Sequence, residues 1–103
     1  MDRMEVLADY RSETDEQVQI VARRRTRTGT KPAPGGLEQE VHFHANSIDV
    51  LVNGHLVESI PLRHDLSHLS RRDARNLLEE INALKDSRAE ADEVIGELHT
   101  LFG

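Results

Sequence analysis

The chain reads as an α+β protein: an antiparallel β-meander of three to five strands followed by a long C-terminal helix. Three observations carry that reading. Short segments of alternating apolar residues fill positions 17–60, Asn53-Gly54 marks a tight hairpin between two of them, and an apolar repeat with steps of three and four occupies positions 70–102. A length of 103 residues suits one domain. It divides into an N-terminal segment (1–16), a sheet region (17–60) with a flexible loop (28–36), and a helical association region (70–102).

In the N-terminal segment, Met4, Val6, Ala8 and Tyr10 alternate as a strand does, while Met4, Leu7, Ala8 and Arg11 also fit a helical turn. The strand is the preferred reading of Met4–Tyr10, and the polar run Arg11–Glu16 is a connector. Val18, Ile20 and Ala22 give the next strand, Gln17–Thr28. The run Thr28–Gly36, with two prolines and three glycines, is a loop by composition. Leu37–Ala45 follows as a strand, with Val41, Phe43 and Ala45 on one face and Glu38, Glu40, His42 and His44 on the other.

Pairing these two strands so that Arg24 faces Val41 sets Ala22 against Phe43 and Ile20 against Ala45. It also sets Arg25 against Glu40, Arg27 against Glu38 and Arg23 against His42, and opposite charges across a ladder contribute about 0.2–1 kcal/mol per pair. Asn46-Ser47 is expected to turn the chain into Ile48–Val52. Asn53-Gly54 then forms a type I′ turn, because both residues tolerate positive φ, and His55–Ile60 returns until Pro61. This register places Asp49 opposite Glu58, a like-charge pair. Leu62–Leu69 is a connector, with Ser67 or Ser70 available to cap the following helix.

In the C-terminal region the a/d positions are Ala74, Leu77, Ile81, Leu84, Arg88, Ala91, Ile95, Leu98 and Phe102, in phase over about four heptads. Between Lys85 and Glu93 only two alanines are available to bury, and Arg88 is a charged residue in the stripe. The unbroken phase predicts one helix, continuous or kinked. Against it, Ser87-Arg88-Ala89-Glu90 has the form of a capping box, which would start a second helix there. A continuous helix of about 50 Å outruns the small sheet. Leu77, Ile81, Leu84, Arg88, Ala91, Ile95, Leu98 and Phe102 would then form a seam with a second copy.

Three aromatics, 37% apolar residues and a mean hydropathy of −0.57 leave little for a private core, which also favours association. With no cysteine, disulfides, thiolate catalysis and cysteine metal sites are excluded. No apolar run reaches membrane-spanning length and no signal segment opens the chain, so a cytoplasmic protein without membrane contact is expected. The net charge of −6 is uneven, at +1 over residues 1–34, −4 over 35–69 and −3 over 70–103.

Arg23, Arg24, Arg25 and Arg27, with Lys31, form a basic stretch that could track phosphates. The plainer reading pairs its arginines with Glu38 and Glu40. His42 and His44 share a strand face and His64 and His68 lie four apart, but neither pair supplies the three or four convergent ligands that a metal requires. No nucleophile motif and no phosphate-cradling glycine loop is present. Glu79, Glu80 and Asp92 fall on the exposed side of the helix. A non-enzymatic interaction, adaptor or regulatory protein follows, self-associating as a homodimer and meeting another protein, without metal or cofactor. Two alternatives remain: a nucleic-acid-binding regulator using the arginine-rich strand, and an acidic inhibitor of a nucleic-acid-binding partner.

Overall fold

The computed structural model describes residues 3–62 and 71–102, and their side chains except at 27, 41–45, 71, 73 and 74. Four strands, β1 (Arg3–Arg11), β2 (Gln17–Pro32), β3 (Glu38–Val52) and β4 (His55–Leu62), form one antiparallel sheet in the order β1-β2-β3-β4. Two helices follow, α1 (Arg71–Asp86) and α2 (Ala91–Phe102). The α+β meander stands as expected, whereas the single long helix does not: the C-terminal region is two helices. The connector from position 63 to 70, with its two candidate capping serines, lies outside the described residues.

One side of the sheet carries the core. Ala8, Val18, Ile20, Ile48, Val50 and Ile60 project from the strands onto Leu77, Ile81 and Leu84 of α1 and Val94 and Leu98 of α2. The alternation that predicted the strands also selects this side: Val18, Ile20 and Ala22 on β2, and Ile48 and Val50 on β3. In the helices, the spacing Leu77–Ile81–Leu84 and Val94–Leu98 puts one stripe of each against the sheet.

The helix break has a physical cause. Arg88 takes φ 53°, its N–H donates to the Lys85 carbonyl, and the Ala89 N–H donates to the Leu84 carbonyl. This is a Schellman ending, in which a left-handed residue closes the helix and the next residue bonds back across the last turn. Its usual apolar contact is present, since Leu84 and Ala89 are both buried in the core. Ser87 is therefore not the cap of a second helix: its hydroxyl donates to the Leu84 carbonyl. The first bond of α2 runs from Val94 N–H to the Glu90 carbonyl.

The break is clasped by the β1–β2 loop. The Tyr10 hydroxyl donates to the Ala89 carbonyl at 2.8 Å, and the Arg88 guanidinium donates to the carbonyls of Arg11 at 3.0 Å and Ser12 at 2.7 Å. The Glu13 N–H donates to the Arg88 carbonyl. Thr14 gives both its N–H and its hydroxyl to the Glu90 carboxylate, at 3.0 and 2.7 Å. The Thr14 hydroxyl holds the Glu90 carboxyl below the usual carboxylate range.

The sheet differs from expectation in three places. The loop expected at 28–36 is shorter, because β2 runs on to Pro32 and the connection is a single 3-10 turn at Pro34–Gly36. No turn interrupts Asn46-Ser47; β3 is continuous over 15 residues. The register differs by five residues from the expected one: Arg25 lies opposite Ala45, Arg27 opposite Phe43 and Arg23 opposite Ser47.

The Asn53-Gly54 turn is as read, with φ of 52° and 82°. Beyond it, a bulge at Val57 sets Val50 opposite Glu58 and Asp49 opposite Ser59. The like-charge pair of Asp49 and Glu58 is thereby removed by one extra residue.

Candidate interaction surface

Among the described residues, β1 pairs with β2 as far as Arg3 opposite Arg24, and β4 with β3 as far as Asn46 opposite Leu62. Past those points β2 and β3 continue together for eight residue pairs, from Arg25–Ala45 to Pro32–Glu38. At about 3.4 Å per residue this ribbon projects roughly 27 Å from the four-stranded body, in keeping with overall extents of 60 × 31 × 20 Å. Its outer edges, 25–32 on β2 and 38–45 on β3, pair with no other described strand.

Pairs across an antiparallel ladder share a face, and successive pairs alternate. One face of the ribbon and its base thus holds positions Arg23, Arg25, Arg27 and Lys31, opposite Ser47, Ala45, Phe43 and Gln39. The other holds Thr26, Thr28 and Thr30, opposite His44, His42 and Glu40, with Glu38 opposite Pro32. The expected neutralisation of Arg25 by Glu40 and Arg27 by Glu38 is absent from this register, and the basic and acidic residues are sorted onto different faces. Arg24 sits with the second set, opposite Asn46.

At the ribbon's base, on the side of the sheet away from the helices, lies Asp49, a residue that sequence reasoning missed. It is fully buried. Its Oδ1 accepts from the hydroxyls of Ser47 at 2.8 Å and Ser59 at 2.6 Å. Its Oδ2 takes no hydrogen bond and is held by longer ion pairs to Arg23 at 3.5 Å and Arg25 at 3.9 Å. The carboxylate is closed off from solvent with both arginines beside it, and Val21, opposite it in the β2–β3 ladder, is buried as well. The sequence did carry a signal: Asp49 interrupts an apolar run and shares the parity of Arg23 and Arg25 in the ladder. Around this cluster Met4, Val6 and Leu56 are each more than half exposed.

The residues expected to form a seam between copies occupy other places. Leu77, Ile81, Leu84 and Leu98 are buried in the chain's own core, and Ile95 and Phe102 pack against it half-buried. Ala91 opens α2, and Arg88 is spent in the clasp. The seam geometry that the heptad implied needs a continuous helix, which the Schellman ending removes.

Two open grooves flank α2, one lined by Glu80, Leu84, Glu93, Gly96 and Glu97, the other by Thr14, Val52, Val57, Glu90 and Ile95. The second contains the Thr14–Glu90 pair of the clasp, whose hydroxyl and carboxylate are bonded to each other. Among the described residues no group of three or more His, Asp or Glu is placed to share a metal ion, and no helix is long and apolar enough to cross a membrane. Compared with known proteins, the chain matches no family model, no curated protein and no solved structure.

Proposed function

We propose that this chain is a non-enzymatic interaction module that associates with a second copy of itself through the projecting ribbon. The observation that supports the reading is that the ribbon's two edges pair with no other described strand. A two-stranded ribbon is marginally stable by itself in water, and bare strand edges are templates for further pairing. The helical stripe is an inferior candidate, because its large apolar side chains are already consumed by the sheet.

Sedimentation equilibrium on the full chain, and on a chain with residues 27–43 replaced by Asn-Gly, tests this. The full chain is expected to be dimeric and the shortened one monomeric, with the four-stranded body intact by circular dichroism. A dimer that survives loss of the ribbon but dissolves on Leu78→Glu with Leu101→Glu would return the contact to the exposed side of the helices.

A second reading, nucleic-acid binding, is favoured by the sorting of charge across the ribbon. Positions Arg23, Arg25, Arg27 and Lys31 share a face whose acids, buried Asp49 and Asp9 at the far end of β1, both lie outside the projecting ribbon, and a two-stranded ribbon fits the major groove. With three or four phosphate contacts, log Kobs for a short duplex should fall with log[salt] at a slope of about −3. Arg27→Gln with Lys31→Gln should flatten the slope by about 2, while Glu38→Gln with Glu40→Gln, on the opposite face, should leave it unchanged. Binding without salt dependence would dispose of this reading.

A further inference from the structure

The outer edge of β3 contains a charge sequence that is complementary to itself when reversed. It reads Glu38-Gln39-Glu40-Val41-His42-Phe43-His44. Antiparallel pairing of this edge with the same edge of a second copy, about a two-fold axis at Val41, sets Glu38 opposite the partner's His44 and Glu40 opposite the partner's His42. The axis repeats both pairs, giving four Glu–His pairs per dimer. Gln39 falls opposite the partner's Phe43, and Val41 opposite the partner's Val41. We infer that two copies of this chain join edge to edge through residues 38–44 of β3. The inference rests on the self-association proposed above and names its surface.

Three observations on the fold agree with this pairing. Among the described residues the edge is free over the needed span: described β4 covers β3 only from Asn46 onward, and the turn at Pro34–Gly36 ends the ribbon on the other side. Seven residues therefore fit between two natural stops, and the partner's β4 meets neither strand of the joined ribbon. The same register brings the partner's Leu37 opposite Ala45, next to the Asn46–Leu62 pair that ends the β3–β4 ladder. Leu37 is 71% exposed in the single chain, the most exposed large apolar residue among those described, and this position sets an apolar residue directly across the ladder from it.

The alternative edge, on β2, lacks this property. Positions 25–32 read Arg-Thr-Arg-Thr-Gly-Thr-Lys-Pro, so a two-fold pairing there meets basic residues and no acid, and like charges across a ladder oppose pairing. Pairing through β3 produces a four-stranded ribbon in the order β2-β3-β3-β2. A sheet of that size holds together where a lone two-stranded one does not. The two-fold axis stands perpendicular to the sheet, so each face keeps its character. The helices of both copies lie on one side, and both rows of Arg23, Arg25, Arg27 and Lys31 lie on the other.

Two complementary variants test the pairing. Glu38→His with Glu40→His makes the edge all histidine, and His42→Glu with His44→Glu makes it all glutamate. In the proposed register each variant opposes like with like, while a mixed dimer of the two restores all four Glu–His pairs. By sedimentation equilibrium each variant alone should dimerise at least about tenfold more weakly than the parent chain. An equimolar mixture should recover the parent's dimer mass. If the parent is dimeric but both variants dimerise as tightly as it does, the β3 register is wrong and self-association stands on another surface. If the mixture stays monomeric, the register is likewise overturned. A parent chain that is monomeric throughout the accessible concentration range overturns both this inference and the association it rests on.

Discussion

Tyr10 illustrates how one side chain reports on the joint between sheet and helices. Its hydroxyl donates to the Ala89 carbonyl, and burial, followed by the nearby Glu90 and Glu93 carboxylates, pushes its pKa from 10.0 up to about 12. An unfolded chain ionises the phenol near 10.0, so the stability gained by keeping it protonated is whole below that pH. It drains as pH rises toward 12. Tyr10 is the only tyrosine and there is no tryptophan, so phenolate absorbance follows this one group. Its ionisation should lag behind that of free tyrosine and coincide with loss of helical circular dichroism. Tyr10→Phe should lower stability at neutral pH by about 0.5–1.5 kcal/mol and remove the extra loss between pH 10 and 12. A phenol that titrates near 10 while the fold persists would mean that the bond to Ala89 is not made in solution.

Among the elements, the helix break separates what the sequence reveals from what it conceals. The left-handed position is held by arginine rather than glycine, at a backbone cost of about 1–2 kcal/mol, and the guanidinium's bonds to Arg11 and Ser12 offset it. Arg88→Ala should keep the strain and lose the bonds. Arg88→Gly loses the bonds but relieves the strain, so it should be the more stable variant by about 0.5–1 kcal/mol, measured by urea denaturation. A reversed order would remove the Schellman ending as the cause of the break. The stretch Lys85–Glu93 did announce an interruption, through its lack of large apolar residues. It concealed the mechanism, since the Ser87–Glu90 pattern imitates a capping box while the work is done by residues 76 to 79 positions away.

The strands show the same division. Met4–Tyr10, the paired runs around Asn53-Gly54 and the core stripe of β2 follow from period-two alternation and turn chemistry. The continuity of β3 was hidden because Asn46-Ser47 resembles a turn in isolation. The β2–β3 register was hidden because local charge pairing rewards a shorter hairpin than the one that forms. Burial decided it: only the longer hairpin sets Val18, Ile20 and Ala22 against Val52, Val50 and Ile48 under the helices. A one-residue bulge such as that at Val57 leaves no mark in composition, yet it exchanges Glu58 for Ser59 as the neighbour of Asp49. For the same reason the basic row at positions 23, 25, 27 and 31 was legible as residues and not as a surface.

At the scale of the molecule, the chain is a compact two-layer body with an arm. The helical layer is acidic on its open side, through Glu79, Glu80, Glu93 and Glu97, and the far side of the sheet is basic toward the arm. The hairpins of the sheet join neighbours in sequence, while the clasp joins Tyr10, Arg11, Ser12 and Thr14 to Arg88, Ala89 and Glu90, almost the length of the chain apart. Such a closure orders a long loop for a few polar bonds, which places it after the hairpins in time. The clasp is then a feature of the native state and not of the folding barrier. Stopped-flow measurements on Arg88→Ala should show a refolding limb that overlays the parent's, with the whole loss of stability appearing as faster unfolding. In the life of the molecule this bond set acts as a timer, fixing how long the helical layer stays seated once the sheet has formed.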